Sequence, residues 1–379
     1  MTIHINSNFD AGAIEVLSLE RADDIRLHIR RDNAADFLQW FYFRISGVAG
    51  QALRLRLQNA AQAAYEQGWP GYAAVASYDR KHWFRVPTRY DGQELVIEHA
   101  PECDSVYYAY FEPYSHERHL DLLASVTCNA AVRTEHLGAT LDGRDLDLLV
   151  IGDDLPTRPK VWVIARQHPG ETMAEWFVEG LLQRLLDAAD PIGRRLLAAA
   201  TFYVVPNMNP DGSVRGNLRT NAAGANLNRE WLEPAPERSP EVLLVRQKMQ
   251  QTGVDLFLDI HGDESIPYVF LAGTEGVPGF SGNIAVLQAA FKAQFLSASP
   301  DFQTEFGYEK DAPGEANLTM ATNYVGERFR CLAFTLEMPF KDNNNLADAT
   351  TGWNGERSRK LGAAVLQPIL AVLPNLRGA

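Results

Sequence analysis

Along the first third of the chain, apolar and polar residues alternate over short stretches. Over residues 52–58, Leu53, Leu55 and Leu57 interleave with Arg54, Arg56 and Gln58, a two-residue period that sends one face of a strand into a core and the other into water. Residues 36–46 are aromatic and β-branched, and residues 74–77, 83–86, 95–98 and 105–111 are further short stretches set off by turn-forming Asp79, Tyr90-Asp91-Gly92 and Pro101. This spacing predicts an antiparallel β-sandwich ending near Pro113. A short helix over residues 115–124 is expected to lead out of it.

The pattern then changes to buried strands alternating with helices. Strands are expected at residues 161–165, 201–205, 256–260 and 332–337, and helices at about 171–187, 240–252, 282–295 and 356–370. Apolar strands separated by helices imply a mostly parallel or mixed sheet covered on both faces. The expected fold class is therefore α/β, with a mixed central sheet flanked by helices and preceded by the sandwich. Because a single core stops growing near roughly 250–300 residues, a length of 379 fits two domains. Their expected ranges are 1–113 and 114–379.

Composition narrows the partners. A formal net charge of -13 sets the overall field against nucleic acid and acidic membrane surfaces. Cys103, Cys128 and Cys331 have neither metal-ligand nor redox spacing and read as small hydrophobes of a reducing compartment, which implies a cytoplasmic address. The start, Met1-Thr2-Ile3-His4, has no basic segment leading into an apolar one, and no stretch has the roughly 20 apolar residues of a membrane span. Gly212, Gly216 and Gly224 lack the spacing of a nucleotide loop. Homo-oligomerisation is left open.

The candidate chemistry lies at the strand ends. His168 and Glu171, in Arg166-Gln167-His168-Pro169-Gly170-Glu171, follow one strand, and His261, in Asp259-Ile260-His261-Gly262, ends another. In a sheet of this class ligands collect beyond the strand C-termini. Two histidines and a carboxylate form a zinc site whose fourth position stays open for water, the arrangement of metal-assisted hydrolysis. Pro169-Gly170 supplies the turn that brings Glu171 back, and Arg166 and Gln167 read as flanking groups. Glu337 ends an apolar strand. It is either a salt-bridged strand-end glutamate or, near zinc, the group that takes a proton from water and delivers it to a leaving amine. Asn207 to Arg229 is rich in asparagine and arginine, either as a solvated loop or as groups that grip carboxylates and oxyanions. His116 and His119 have ligand-like spacing but read as the polar face of a short helix without an acidic partner.

Four segments in order carry a resemblance: HPGE at 168–171, NPDGSVRGNLRTNAAGANLNREW from Asn209 to Trp231, FLDIHG ending at Gly262, and FTLEMPF around Glu337. With them the chain resembles the zinc metallocarboxypeptidases, specifically the cytosolic branch, whose extra amino-terminal domain the sandwich matches. The resemblance implies one Zn2+ held by His168, Glu171 and His261, with Glu337 as general base and Arg219 supporting the scissile carbonyl. It also implies that Asn228 and Arg229 bind the substrate's terminal carboxylate. The substrate-capping tyrosine falls on Tyr308, with Tyr324 the alternative. Where the branch commonly has aspartate before the leucine of its LNR segment, this chain has Asn226, which changes the charge behind the ligands.

The expected activity is removal of C-terminal residues from peptides or protein tails. Two rivals are a zinc amidohydrolase acting on N-acyl amino acids and a non-catalytic peptide- or glycan-binding protein. The sandwich is expected to pack on the catalytic domain and narrow access to the site. Resemblance to tail-trimming enzymes implies a preference for terminal glutamate, for which Lys310, Arg328 or Arg330 would supply positive charge.

Overall fold

A computed structural model describes residues 3–378; Met1, Thr2 and Ala379, which fall within the expected domain ranges and the N-terminal reading, lie outside the described residues. The amino-terminal part is built from two five-stranded sheets. One orders His4–Asn6, Tyr42–Ser46, Ser105–Ala109, Val75–Ser77 and Phe84–Arg85, and is antiparallel throughout. The other orders Glu15–Ser18, Ile25–His28, Leu53–Leu57, Leu95–His99 and Thr88–Tyr90. The alternation read at residues 52–58 is real: Leu53, Leu55 and Leu57 are buried, while Arg56 faces outward to Asp24 at 2.8 Å and Glu94 at 2.9 Å.

Three expectations need correction. Ile25–His28 pairs parallel with Leu53–Leu57, because the chain crosses to the other sheet at Tyr42–Ser46 before returning in the same direction. Residues 36–41 form no strand, although Leu38, Trp40 and Phe41 are buried, so their apolar character serves packing rather than pairing. Cys331 is buried, whereas Cys103 and Cys128 are exposed rather than packed as small hydrophobes.

The central sheet has seven strands ordered Val132–Ala139, Asp145–Ile151, Thr201–Val205, Lys160–Ala165, Leu256–Asp263, Leu332–Pro339 and Phe270–Ala272. Its middle pairings are parallel and its edges antiparallel. One face packs on helices Met173–Leu185, Gly282–Ala298, Gly355–Ala364 and Leu366–Val372; the other packs on Pro240–Thr252 and Ala321–Phe329. Buried Val161, Val163, Leu258 and Phe334 belong to the same continuous core as Leu27, Phe43 and Tyr110 of the amino-terminal sheets. The two parts are therefore joined by apolar packing.

The expected C-terminal helix is two helices, Gly355–Ala364 and Leu366–Val372. Pro368 sits in the first turn of the second, where its missing N–H costs no helical hydrogen bond. Pro210–Arg215 is a short helix with Asn209 as its cap, not the loop read from its composition. The edge hairpin Val132–Ile151 and the helices Pro191–Ala199 and Ala321–Phe329 are additional to the elements expected. Among the described residues, no helix is long and apolar enough to cross a membrane.

Candidate active site

Strand Lys160–Ala165 delivers the chain to Arg166, whose φ of 56° is left-handed, an unusual conformation for a residue with a side chain. The buried Arg166 guanidinium holds that turn, donating to Pro169 O and Tyr114 O at 2.9 Å each and pairing with Glu175. Gly170 N donates to Leu218 O at 2.8 Å, tying the turn to the Asn209–Trp231 segment. Helix Met173–Leu185 begins two residues after Glu171 rather than at it. A Cβ on Gly212 would lie 2.4 Å from both Pro169 Cγ and Thr220 O, so only glycine lets the Pro210–Arg215 helix approach this closely.

These contacts bring His168, Glu171 and His261 together, with one ligand atom from each lying within 4.8 Å of the others. His168 Nδ1 is 2.6 Å from Glu171 Oε1, His261 Nδ1 is 2.8 Å from Glu171 Oε2, and the two Nδ1 atoms are 3.2 Å apart. Donors bound to one zinc at 2.0–2.1 Å in tetrahedral array are roughly 3.3 Å apart, so the two imidazoles already have suitable spacing. On their far sides, His168 Nε2 donates to Asn226 Oδ1 at 3.0 Å, and His261 Nε2 is 2.9 Å from Asp259 Oδ2. Such outer partners fix the tautomer and point the other nitrogen at the ion.

The electrostatics agree with a cation site. Burial, reinforced by the Arg219 charge, pulls the His168 pKa down to about 4 and keeps the ring neutral. Burial would raise Glu171, but the His168 and His261 rings outweigh it and hold the carboxylate well below its ordinary range. His261 moves the other way: burial disfavours its charge, yet Asp259 and Glu171 raise its pKa well above the usual value. A divalent cation among the three ligands meets the same demand for positive charge, with the His261 proton released on binding. The donor set fits zinc.

Glu337 lies beside His261 because their strands pair parallel with these two residues opposite each other, so both side chains leave the same face. Burial pushes the Glu337 carboxyl well above its ordinary range, His261 opposing and Glu171 and Asp263 reinforcing the shift. Its Oε2 has no hydrogen-bond partner, so Glu337 is not the salt-bridged strand end of the competing reading. The Tyr308 hydroxyl lies 2.7 Å from Asp263 Oδ2 and 3.1 Å from Glu337 Oε1. Tyr324 instead packs near Trp231 and beneath the Arg246 guanidinium.

Arg219 Nη1 is 4.0 Å from Glu171 Oε1, and its guanidinium lies over the rings of Tyr65 at 5.3 Å and Phe37 at 5.8 Å. Burial disfavours its charge, but Tyr65 and Glu171 outweigh this and raise its pKa. Asn228 is buried and its Oδ1 accepts from Ala321 N at 2.8 Å; the adjacent Arg229 is exposed, and desolvation by its surroundings together with the like charge of Arg219 lowers its pKa. Beside Tyr308 and Thr335 opens a cavity of about 440 Å³ whose charged lining is Lys292 and Lys310 with Glu275, Glu305, Glu309 and Asp311. Arg328 and Arg330 do not line it. Arg330 precedes the strand and pairs with Glu327 at 3.2 Å, and Arg328 stacks over Phe329.

Sequence reading passed over several of these residues. Asp259 was legible, since it shares a strand face with His261 two residues on. Lys292, Tyr65 and Phe37 had no local signal, because they arrive from a helix and from the amino-terminal domain. His119 needs correction: it is buried, and its Nδ1 lies 2.8 Å from Glu175 Oε1, so the pair is not a solvated helix face and does have an acidic partner. That partner stands on another helix, invisible to spacing along the chain.

Comparison with known proteins matches this geometry. Residues 5–111 match the cytosolic carboxypeptidase N-terminal domain and residues 117–350 match zinc carboxypeptidase. A metallo-carboxypeptidase from Burkholderia cenocepacia is 56% identical, with a TM-score of 0.96 over 97% of this chain and 98% of that one. A metallo-carboxypeptidase from Pseudomonas aeruginosa, solved with (2-guanidinoethylmercapto)succinic acid, is 48% identical, with a TM-score of 0.96 over 99% of this chain and 100% of that one. Cytosolic carboxypeptidase 1 of Mus musculus is 26% identical over 81% of this chain, which spans only 28% of that longer protein. With the zinc carboxypeptidase match covering more than half of its residues around a buried His/Glu/His ligand set, the chain belongs to the M14 zinc carboxypeptidase family and is a zinc-dependent enzyme of C-terminal peptide hydrolysis.

Proposed function

We propose that this enzyme removes single residues from the C-termini of peptides or protein tails, with Glu337 as the general base and Arg219, Asn228, Arg229 and Tyr308 as the substrate-handling groups. The observation that carries this reading is the buried Glu337 carboxylate, whose Oε2 lacks a partner while its strand position pairs with the ligand His261. A buried carboxylate oxygen without a partner is costly, and catalysis supplies a reason to keep it.

When bound by His168, Glu171 and His261, zinc supplies Lewis acidity that lowers the pKa of a water and polarises a carbonyl. Arg229 and the amide of Asn228, whose oxygen is already committed to Ala321 N, receive the substrate's terminal carboxylate. Arg219 lies where it can meet the negative charge that develops on the scissile carbonyl oxygen. Glu337 takes one proton from the attacking water and passes it to the nitrogen of the departing amine as the C–N bond breaks. Tyr308, on its exposed loop, closes over the bound residue while its hydroxyl orients Glu337.

The finer reading is a preference for a terminal glutamate. That preference is motivated by the resemblance to tail-trimming enzymes. The cavity beside Tyr308 holds Lys292 and Lys310, but also the carboxylates of Glu275, Glu305, Glu309 and Asp311, and Glu275 pairs with Lys310 at 3.1 Å. Lys292 is therefore the cation on which an acidic side chain would depend, since burial of an unpaired charge is costly. The reading also places the domain division near Pro113, between the two family matches, and the enzyme in the cytoplasm, as its relatives' names and its free cysteines favour.

A peptide panel varying only the terminal residue, assayed with zinc and after chelation beside N-acyl amino acids, tests both levels. Zinc-dependent release of terminal glutamate is the expected result. Release of apolar residues without glutamate would remove the specificity, and cleavage of N-acyl amino acids alone would replace peptidase by amidohydrolase.

A further inference from the structure

The Arg219 guanidinium is placed by groups outside the catalytic domain. Among the described residues it donates no hydrogen bond, and its ion pair with Glu171 is a long 4.0 Å. Its position therefore depends on its backbone and on the Phe37 and Tyr65 rings that flank it.

That backbone is gripped by one side chain of the amino-terminal domain. Asp32, only 5% exposed, accepts on Oδ1 from Leu218 N at 2.6 Å, and on Oδ2 from Arg219 N at 2.8 Å, Thr220 N at 2.9 Å and Thr220 Oγ1 at 3.0 Å. Three successive amides and a hydroxyl converge on one carboxylate, which fixes the peptide planes on both sides of Arg219.

Neighbouring contacts make the grip local and stiff. Asn33 Nδ2 donates to Ala222 O at 2.7 Å, and Ala11 N donates to Val214 O at 3.0 Å. Gly216 has a φ of 69°, and a Cβ there would lie 2.6 Å from Ala11 O. The loop and the amino-terminal domain touch backbone to backbone.

We propose that Asp32 is a positioning residue for peptide hydrolysis: by holding the 218–220 backbone it sets the Arg219 guanidinium at the site, making the amino-terminal domain a working part of the active centre. The inference rests on the assignment of Arg219 to the scissile carbonyl. Positioning errors near 1 Å cost on the order of 10²-fold in rate. Asp32→Asn replaces one acceptor oxygen by an amide that faces an N–H, so the loop must shift.

The test is a double-mutant cycle in the full-length zinc enzyme, using Asp32→Asn, Thr220→Val and Arg219→Ala, with kcat, KM, bound zinc and thermal stability measured for each. The expected result for Asp32→Asn is a kcat lower by roughly 10- to 100-fold with KM and zinc content nearly unchanged. In the Arg219→Ala background the same change should cost almost nothing more. Thr220→Val, which removes only one of the four bonds, should show a smaller loss with the same non-additivity, and it decides the question if Asp32→Asn does not fold. Normal kcat in Asp32→Asn, or losses that multiply with those of Arg219→Ala, would overturn the inference. An Arg219→Ala enzyme of normal activity would instead refute the role given to Arg219, and this inference with it.

Discussion

Replacing Asp259 should weaken zinc binding. Its carboxylate is fully buried, lies 2.9 Å from His261 Nε2, accepts from Gln167 Nε2 at 2.8 Å, and leaves Oδ1 without a partner. The bond to His261 is charge-assisted, a class worth about 1.5–3 kcal/mol. Loss of a partner behind a ligating histidine typically costs 10–100-fold in metal affinity, about 1.4–2.7 kcal/mol. The two ranges agree. Asp259→Ala should therefore weaken the zinc Kd by roughly 10–100-fold, and Asp259→Asn, which keeps an acceptor but loses the charge, by less. Competition with a chelator of known affinity measures this, and thermal unfolding of the metal-free proteins measures the rest. Because Asp259→Ala also leaves the buried His261 ring and the Gln167 amide without their acceptor, its metal-free form should melt lower than the parent, and Asp259→Asn, which keeps an acceptor oxygen, should melt closer to it. Unchanged zinc affinity in Asp259→Ala would refute the idea that this carboxylate tunes the ligand.

Two further predictions concern stability. Burial raises the Glu241 pKa from 4.5 to about 7, so the folded state binds more protons than the unfolded state in that window. Stability from this group is complete below the unfolded pKa and is lost as pH rises through the folded one, by at most about 3 kcal/mol. Glu241→Gln should remove that fall, and denaturant titrations of parent and variant that stay parallel across the window would contradict it. Gly212→Ala places a Cβ 2.4 Å from Pro169 Cγ and Thr220 O, and overpacking of this kind costs about 1–3 kcal/mol. Because Pro169 lies between two ligands, zinc affinity should fall together with the unfolding midpoint, whereas a lower midpoint with unchanged zinc affinity would show that the turn absorbs the strain.

The ligands and Glu337 were legible because each ends a strand whose apolar run marks it. His168 and Glu171 follow Lys160–Ala165, and His261 and Glu337 sit on the next two strands of the sheet. Alternation also revealed the sandwich wherever one strand face met water, as with Leu53, Leu55 and Leu57. It did not reveal the parallel pairing of Ile25–His28, since pairing direction depends on the path between strands rather than on either strand's pattern. Residues 209–229 left two readings open, a solvated loop or groups that grip carboxylates and oxyanions. Asn209, Asp211, Thr220 and Asn221 are buried, their polar groups engaged by the backbone and by neighbouring side chains, so the segment is not a solvated loop. Asp32, Phe37 and Tyr65 reach Arg219 from the other domain, and nothing near them in the sequence shows this.

The central claim is that Glu337 performs proton transfer beside a zinc held by His168, Glu171 and His261. It is tested most directly by Glu337→Gln, which keeps the side chain's size and removes its basicity, with bound zinc and single-turnover hydrolysis of a glutamate-terminated peptide measured on the same preparation. One zinc per chain and a rate lower by roughly 10²–10⁴-fold are expected. Near-normal hydrolysis at full zinc occupancy would contradict it.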